Sequence, residues 1–116
     1  MKTIIFSAFF LLAFAGLFTS ATAAVTHYET TTFKVSGNCE MCKKTIESAL
    51  KKNGAIQSAS WDVATKILTV TYNPHSISVD QIHQLVADAG YDTDKVKASD
   101  TAYKALPGCC QYKRSK

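Results

Sequence analysis

Thr31-Thr32-Phe33-Lys34-Val35-Ser36-Gly37-Asn38-Cys39-Glu40-Met41-Cys42-Lys43-Lys44-Thr45-Ile46-Glu47 decides the reading of this chain. Its opening, Thr31 to Val35, is rich in β-branched and aromatic residues and reads as a strand. Gly37-Asn38 breaks that strand. After the CxxC, the residues Cys42, Ile46, Ala49 and Leu50 recur at helical spacing to about Lys52, where Asn53-Gly54 stops them. Cys39 and Cys42 therefore sit three positions apart at a helix N-terminus and can aim both sulfurs at one ion. The helix dipole and the free backbone N–H groups there favour the thiolates that soft metals require.

Working outward, Ile56 to Asp62 and Lys66 to Tyr72 read as strands, with Ala59 and Trp61, then Leu68, Val70 and Tyr72, on the buried alternation. Asp62 to Lys66 is the hairpin turn between them. Ser78-Val79-Asp80-Gln81 has the spacing of a capping box, and Val79, Ile82, Leu85, Val86 and Ala89 form an apolar stripe ending at Gly90. A short final strand over 91–98 completes the order βαββαβ. The fold class is thus α+β: a ferredoxin-like sandwich with two helices on one face of a four-stranded antiparallel sheet.

Val35 to Glu47 resembles the metal loop of heavy-metal-associated domains, and Ala89-Gly90-Tyr91-Asp92 resembles the loop after their second helix. The likeness runs on through Gly54, Asp62, Leu68-Thr69-Val70 and Tyr72-Asn73-Pro74, so that it covers 31–98. One departure stands out: the family's loop carries a methionine and one more residue between the glycine and the first cysteine, whereas here Asn38 alone fills the gap. The shorter loop bears on the sulfur-to-sulfur geometry and hence on the preferred metal.

The resemblance implies a non-enzymatic carrier, similar to periplasmic mercury-binding proteins and copper chaperones, with Cys39 and Cys42 as ligands. Cu(I) and Hg(II) both accept two thiolates in a near-linear arrangement, whereas Zn(II) wants four ligands and suits the pair less. An exposed two-coordinate ion leaves room for an incoming thiolate. The expected partner is accordingly a metal transporter or another CxxC-containing domain, and the apo protein is expected to be a monomer. Tyr91 sits where the family places an aromatic beside the metal, where it would shield the thiolates or simply fill the core. Lys43 would offset the charge of a bis-thiolate site or simply lie on a solvated helix face, and Met41 lies inside the motif.

Upstream, Met1-Lys2-Thr3, the uncharged apolar stretch Ile4 to Phe18 and the small residues Thr19 to Ala23 read as a signal peptide over 1–23, cleaved after Ala23. Periplasmic or secreted localisation follows. Residues 24–30 read as a lead-in, 31–98 as the domain, and 99–116 as a C-terminal extension. The net charge of +4 comes from 13 Lys and Arg interleaved with 9 acids, a pattern that argues against nucleic acid. His27, His75 and His83 are scattered and read as surface residues, and Trp61 as core.

In the extension, Asp100 caps a short helix through Leu106, which Pro107-Gly108 stops before Cys109-Cys110. These cysteines, distant from the CxxC along the chain, read as an auxiliary thiol site, an acceptor for metal from Cys39 and Cys42, redox partners to them, or a structural bridge. Two rival functions use the same CxxC. One is thiol–disulfide exchange, which also exploits a helix-terminal cysteine, and the other is metal buffering or sensing for a transporter.

Overall fold

A computed structural model of the chain describes residues 27–114 and the single residue Gly16. Apart from Gly16, the expected signal peptide and the first part of the lead-in lie outside the described residues. The elements run β1 (Glu29–Lys34), α1 (Glu40–Lys51), β2 (Ile56–Trp61), β3 (Ile67–Tyr72), α2 (Val79–Asp88) and α3 (Asp100–Lys104), with a last 3-10 turn at Gly108–Cys110. β1 starts two residues earlier than the sequence suggests. Thr30 meets Thr71 across the sheet with their hydroxyl oxygens 3.1 Å apart, and Tyr72 Oη donates to Glu29 Oε2 at 3.4 Å.

The strands form one antiparallel sheet in the order β1-β3-β2. Phe33 and Trp61 both pair with Leu68, so these three side chains share the covered face. A register shift between Ile56 and Ser58 inserts one extra residue, which lets Ile56 join Ala59 and Trp61 in the core despite the broken alternation. The hairpin turn forms because Asp62 Oδ1 accepts from the backbone N–H groups of Ala64 and Thr65, and Lys66 takes a φ of 65°. Cys42, Ile46 and Leu50 of α1 and Ile82 and Val86 of α2 close the core over that sheet face.

The fourth strand expected over 91–98 does not form. Among the described residues the sheet has three strands, and this segment touches β1 through one isolated bridge, Val35 with Thr93. Its backbone is committed elsewhere. Thr93 Oγ1 accepts from Lys95 N and Val96 N, Thr93 N donates to Val96 O, and Asp92 Oδ1 accepts from Ala98 N at 2.7 Å. Polar side chains at 92 and 93 thus curl the chain into turns before a ladder can extend.

The capping box at Ser78 and Gln81 forms as expected, but the buried arc of α2 is displaced. Ile82, His83, Val86 and Ala87 are its buried residues, while Val79, Leu85 and Ala89 are half-buried. His83 is therefore a core residue and not a surface one. It stacks on Phe33 with centroids 3.7 Å apart, and its Nδ1 lies 2.6 Å from Thr93 Oγ1. Burial, aided by Lys95 and opposed by Asp94 and Asp80, lowers its pKa from 6.5.

Mild acid therefore acts against the fold through this ring. Above 6.5 both folded and unfolded chains hold a neutral imidazole. Below it the unfolded chain gains a proton that the folded chain refuses, and stability falls until the lower folded value is passed. Thermal melts from pH 7 to pH 5 are expected to show a decline in Tm that a His83→Gln variant lacks. An identical slope in both would show that the histidine does not control it.

Candidate metal centre

Val35 continues β1 for one residue, held by its own N–H to Lys66 O at 2.9 Å and by Trp61 Nε1 donating to its carbonyl at 3.1 Å. The indole then lies directly under the loop. A Cβ at Gly37 would come within 2.9 Å of Trp61 Cη2, so only glycine lets the backbone cross the ring. Cys39 is the N-cap of α1 in an extended conformation, and its carbonyl accepts from Lys43 N at 3.1 Å. This geometry places Cys39 Sγ half-exposed and Cys42 Sγ fully buried, 3.9 Å apart, with Asn38 N donating to Cys42 Sγ at 3.4 Å.

The extension comes back over this loop. Ser99, not the expected Asp100, caps α3 through Ala102 N, and after Leu106 the chain turns at Pro107 into the 3-10 turn, where Cys110 N donates to Pro107 O at 2.8 Å. Tyr112 and Arg114 fasten it. Tyr112 Oη accepts from Asp92 N at 2.8 Å and donates to Gly90 O at 2.9 Å, while the Arg114 guanidinium meets both Asp92 oxygens and Asp100 Oδ1. Arg114 Nη2 also donates to Ala98 O.

Of the couple that is distant from the CxxC along the chain, the fold brings Cys110 up against Cys39 and Cys42. Cys110 is fully buried, and its Sγ and those of Cys39 and Cys42 all lie within 4.8 Å of one another. Cys109 is exposed, with its thiol 3.4 Å from Met41 Sδ and 4.0 Å from Cys110 Sγ; its carbonyl accepts from Asn38 Nδ2 at 3.3 Å. All four cysteines are free thiols.

Burial opposes ionisation of Cys42, but donation from Asn38 N–H, from the Cys110 thiol and from Cys39 more than offsets it, and its pKa is lowered. Burial, together with the neighbouring Cys42, raises that of Cys110. Of this coupled pair, Cys42 is the thiol more readily ionised. Tyr91 is fully buried beside these sulfurs and stacks on Tyr112 at 6.0 Å; its hydroxyl makes no well-formed hydrogen bond. Burial first, then Cys110 and Cys42, raise its pKa, so the phenol remains a neutral donor.

Lys43 does not face the thiols. Its ammonium lies 2.8 Å from Glu47 Oε2 and donates to Trp61 O at 3.0 Å, so the expected charge compensation at the sulfurs comes from backbone N–H groups instead. Met41 is half-exposed at the rim and meets only Cys109 among the sulfurs described.

The heavy-metal-associated domain model matches residues 32–92, just over half of the chain. The chain belongs to the heavy-metal-associated domain family. Among curated relatives, the copper chaperone CopZ of Staphylococcus haemolyticus is 34% identical over 55 residues, which make up 47% of this chain and 81% of that protein. A zinc-transporting ATPase of Synechocystis sp. is 39% identical over 64 residues, 55% of this chain but only 9% of the ATPase. The solved structure of oxidised MerP from Ralstonia metallidurans CH34 superposes with a TM-score of 0.55 at 28% identity, covering 59% of this chain and 96% of that one.

The heavy-metal-associated domain accordingly has the ferredoxin-like fold of its neighbours. Its family match ends at residue 92, so Cys110, Tyr112 and Arg114 all lie outside it. The sequence carried one signal for them: a second cysteine couple, followed by an aromatic and an arginine, in a chain whose metal loop was already complete.

Proposed function

We propose that this protein is an exported, non-enzymatic carrier that holds a soft metal ion on Cys39 and Cys42 and passes it on by ligand exchange. The observation that carries the reading is the thiol pair itself, 3.9 Å apart at the start of α1, with Cys42 poised towards its thiolate and Cys39 half-exposed. A buried thiolate retains the ion while the exposed one admits a competing thiolate, so a bridged intermediate avoids free metal.

Cu(I) is the best supported cargo. Thiolates are soft ligands, and the chain is similar to a copper chaperone over most of that protein's length. Hg(II) shares the ligand preference. Zn(II) draws support from the similarity to a zinc-transporting ATPase but requires a fuller ligand set. The partner is a metal-transporting ATPase or another CxxC domain, since ATPases carry a related segment within much longer chains. The charged start, apolar stretch and small residues of 1–23 support export, and the interleaved surface charge supports an apo monomer without nucleic acid.

The test loads the reduced chain with Cu(I) in the presence of a competing chelator and mixes it with a separate CxxC domain. Retention followed by transfer faster than the chelator permits is the expected result. Retention without transfer would make the protein a buffer. No retention, with reduction of insulin disulfides, would replace the carrier by a thiol–disulfide exchange protein.

A further inference from the structure

Two thiols suffice for the reading above, yet the fold delivers a third. Metal–thiolate bonds of about 2.3 Å set sulfurs roughly 4.0 Å apart around a three-coordinate centre, and about 4.6 Å apart across a linear one. Cys39 Sγ and Cys42 Sγ are 3.9 Å apart, the spacing of the three-coordinate case, and Cys110 Sγ closes the triangle within 4.8 Å of both. The Tyr91 hydroxyl points to the same end. It is buried, makes no well-formed hydrogen bond, and faces Cys110 and Cys42 with the Thr45 side chain beside it. A thiol is a weak acceptor for a phenol O–H, whereas a thiolate is a strong one, so charge on the sulfurs would satisfy this donor.

The tail around Cys110 is also held firmly. Tyr112 and Arg114 bond to Gly90 and Asp92, immediately beside Tyr91, so Cys110 is fixed relative to the CxxC.

We propose that Cys110 supplies a third thiolate to the soft ion held by Cys39 and Cys42, so that the C-terminal tail converts an open two-sulfur loop into a covered three-sulfur site. This rests on the carrier reading and deepens it. Loading forms three metal–sulfur bonds and releases the proton of each thiol that binds to solvent; the metal keeps its oxidation state. An incoming partner thiolate displaces Cys110, and the exposed Cys109 thiol, 4.0 Å from Cys110 Sγ, marks the open side.

X-ray absorption on the Cu(I)-loaded full chain counts the sulfurs directly. Three are expected in the wild type and two, at shorter distance, in Cys110→Ser. In chelator competition Cys110→Ser should lose at least the roughly 10–100-fold that removing an outer-shell partner costs, while Cys109→Ser stays within error of the wild type. Two sulfurs in the wild type, or unchanged affinity in Cys110→Ser, would overturn the three-sulfur site and leave the carrier intact. Failure of the wild type to retain Cu(I), or full retention by Cys39→Ser/Cys42→Ser, would instead sink the carrier reading. The wild-type count stands whether or not the serine variant folds.

Discussion

Cys39→Ser/Cys42→Ser should lose retention of Cu(I) against a chelator while keeping its secondary structure. Serine offers a hard oxygen that stays protonated at neutral pH, so neither position can supply an anionic soft ligand. Four-ligand zinc sites bind with about 10–16 kcal/mol, so two thiolates carry roughly half of that, or about four to six orders of magnitude in affinity. The fold should survive because the introduced hydroxyl can still accept from Asn38 N, the bond that Cys42 Sγ now takes at 3.4 Å. Burying that hydroxyl without the sulfur's apolar bulk costs about 1–3 kcal/mol. Competition titration beside circular dichroism checks both halves. Retention equal to the wild type would place the ligands elsewhere.

Asp92→Ala is expected to have the largest effect on stability and to release the tail. The Asp92 side chain is 9% exposed and accepts from Arg114 Nε at 3.0 Å, Arg114 Nη2 at 2.8 Å and Ala98 N at 2.7 Å. Its loss strips Ala98 N–H of its acceptor and leaves the guanidinium only Asp100 Oδ1 and Ala98 O. Breaking a buried pair costs about 3–5 kcal/mol, and the partial exposure of Arg114 puts this case at the lower end. Proteolysis should then cut after Ala98 in the variant under conditions that spare the wild type, and Cu(I) affinity should fall to that of Cys110→Ser.

Acid should reproduce part of this in the wild type. Burial opposes ionisation of Asp92, but Arg114 and Ala98 N–H outweigh it and hold its pKa below 3.8. A depressed carboxylate contributes stability above its unfolded value, which is lost as pH falls through the folded one. The wild type should shed this increment below about pH 3.8, and Asp92→Ala should not. Equal acid profiles would detach the carboxylate from tail docking.

The parts of the fold legible in the sequence are those built from neighbours in the chain. The helical recurrence of Cys42, Ile46 and Leu50, the capping box at Ser78 and Gln81, and the alternation of Leu68, Val70 and Tyr72 each arise within one element, and each appears where the spacing places it. Two misreadings came from judging residues by chemistry over position. His83 reads as a surface residue by its polarity, yet it lies four residues after Val79 and three before Val86, on the same side of α2. The segment 91–98 reads as a strand by composition, but Asp92 and Thr93 bond to the backbone around them and end the pairing at one bridge.

The sequence by itself determined the family loop, the helix that begins on it and the two primary thiols, because a CxxC at a helix start is a local geometry of four residues. Only the tertiary structure decided that Cys110 joins them across 71 positions of chain. That approach depends on Tyr112 reaching Gly90 and on Arg114 reaching Asp92, contacts between residues about 22 positions apart that leave no periodic trace. Their partners are single hydrogen-bonding groups whose positions exist only once α2 has packed on the sheet.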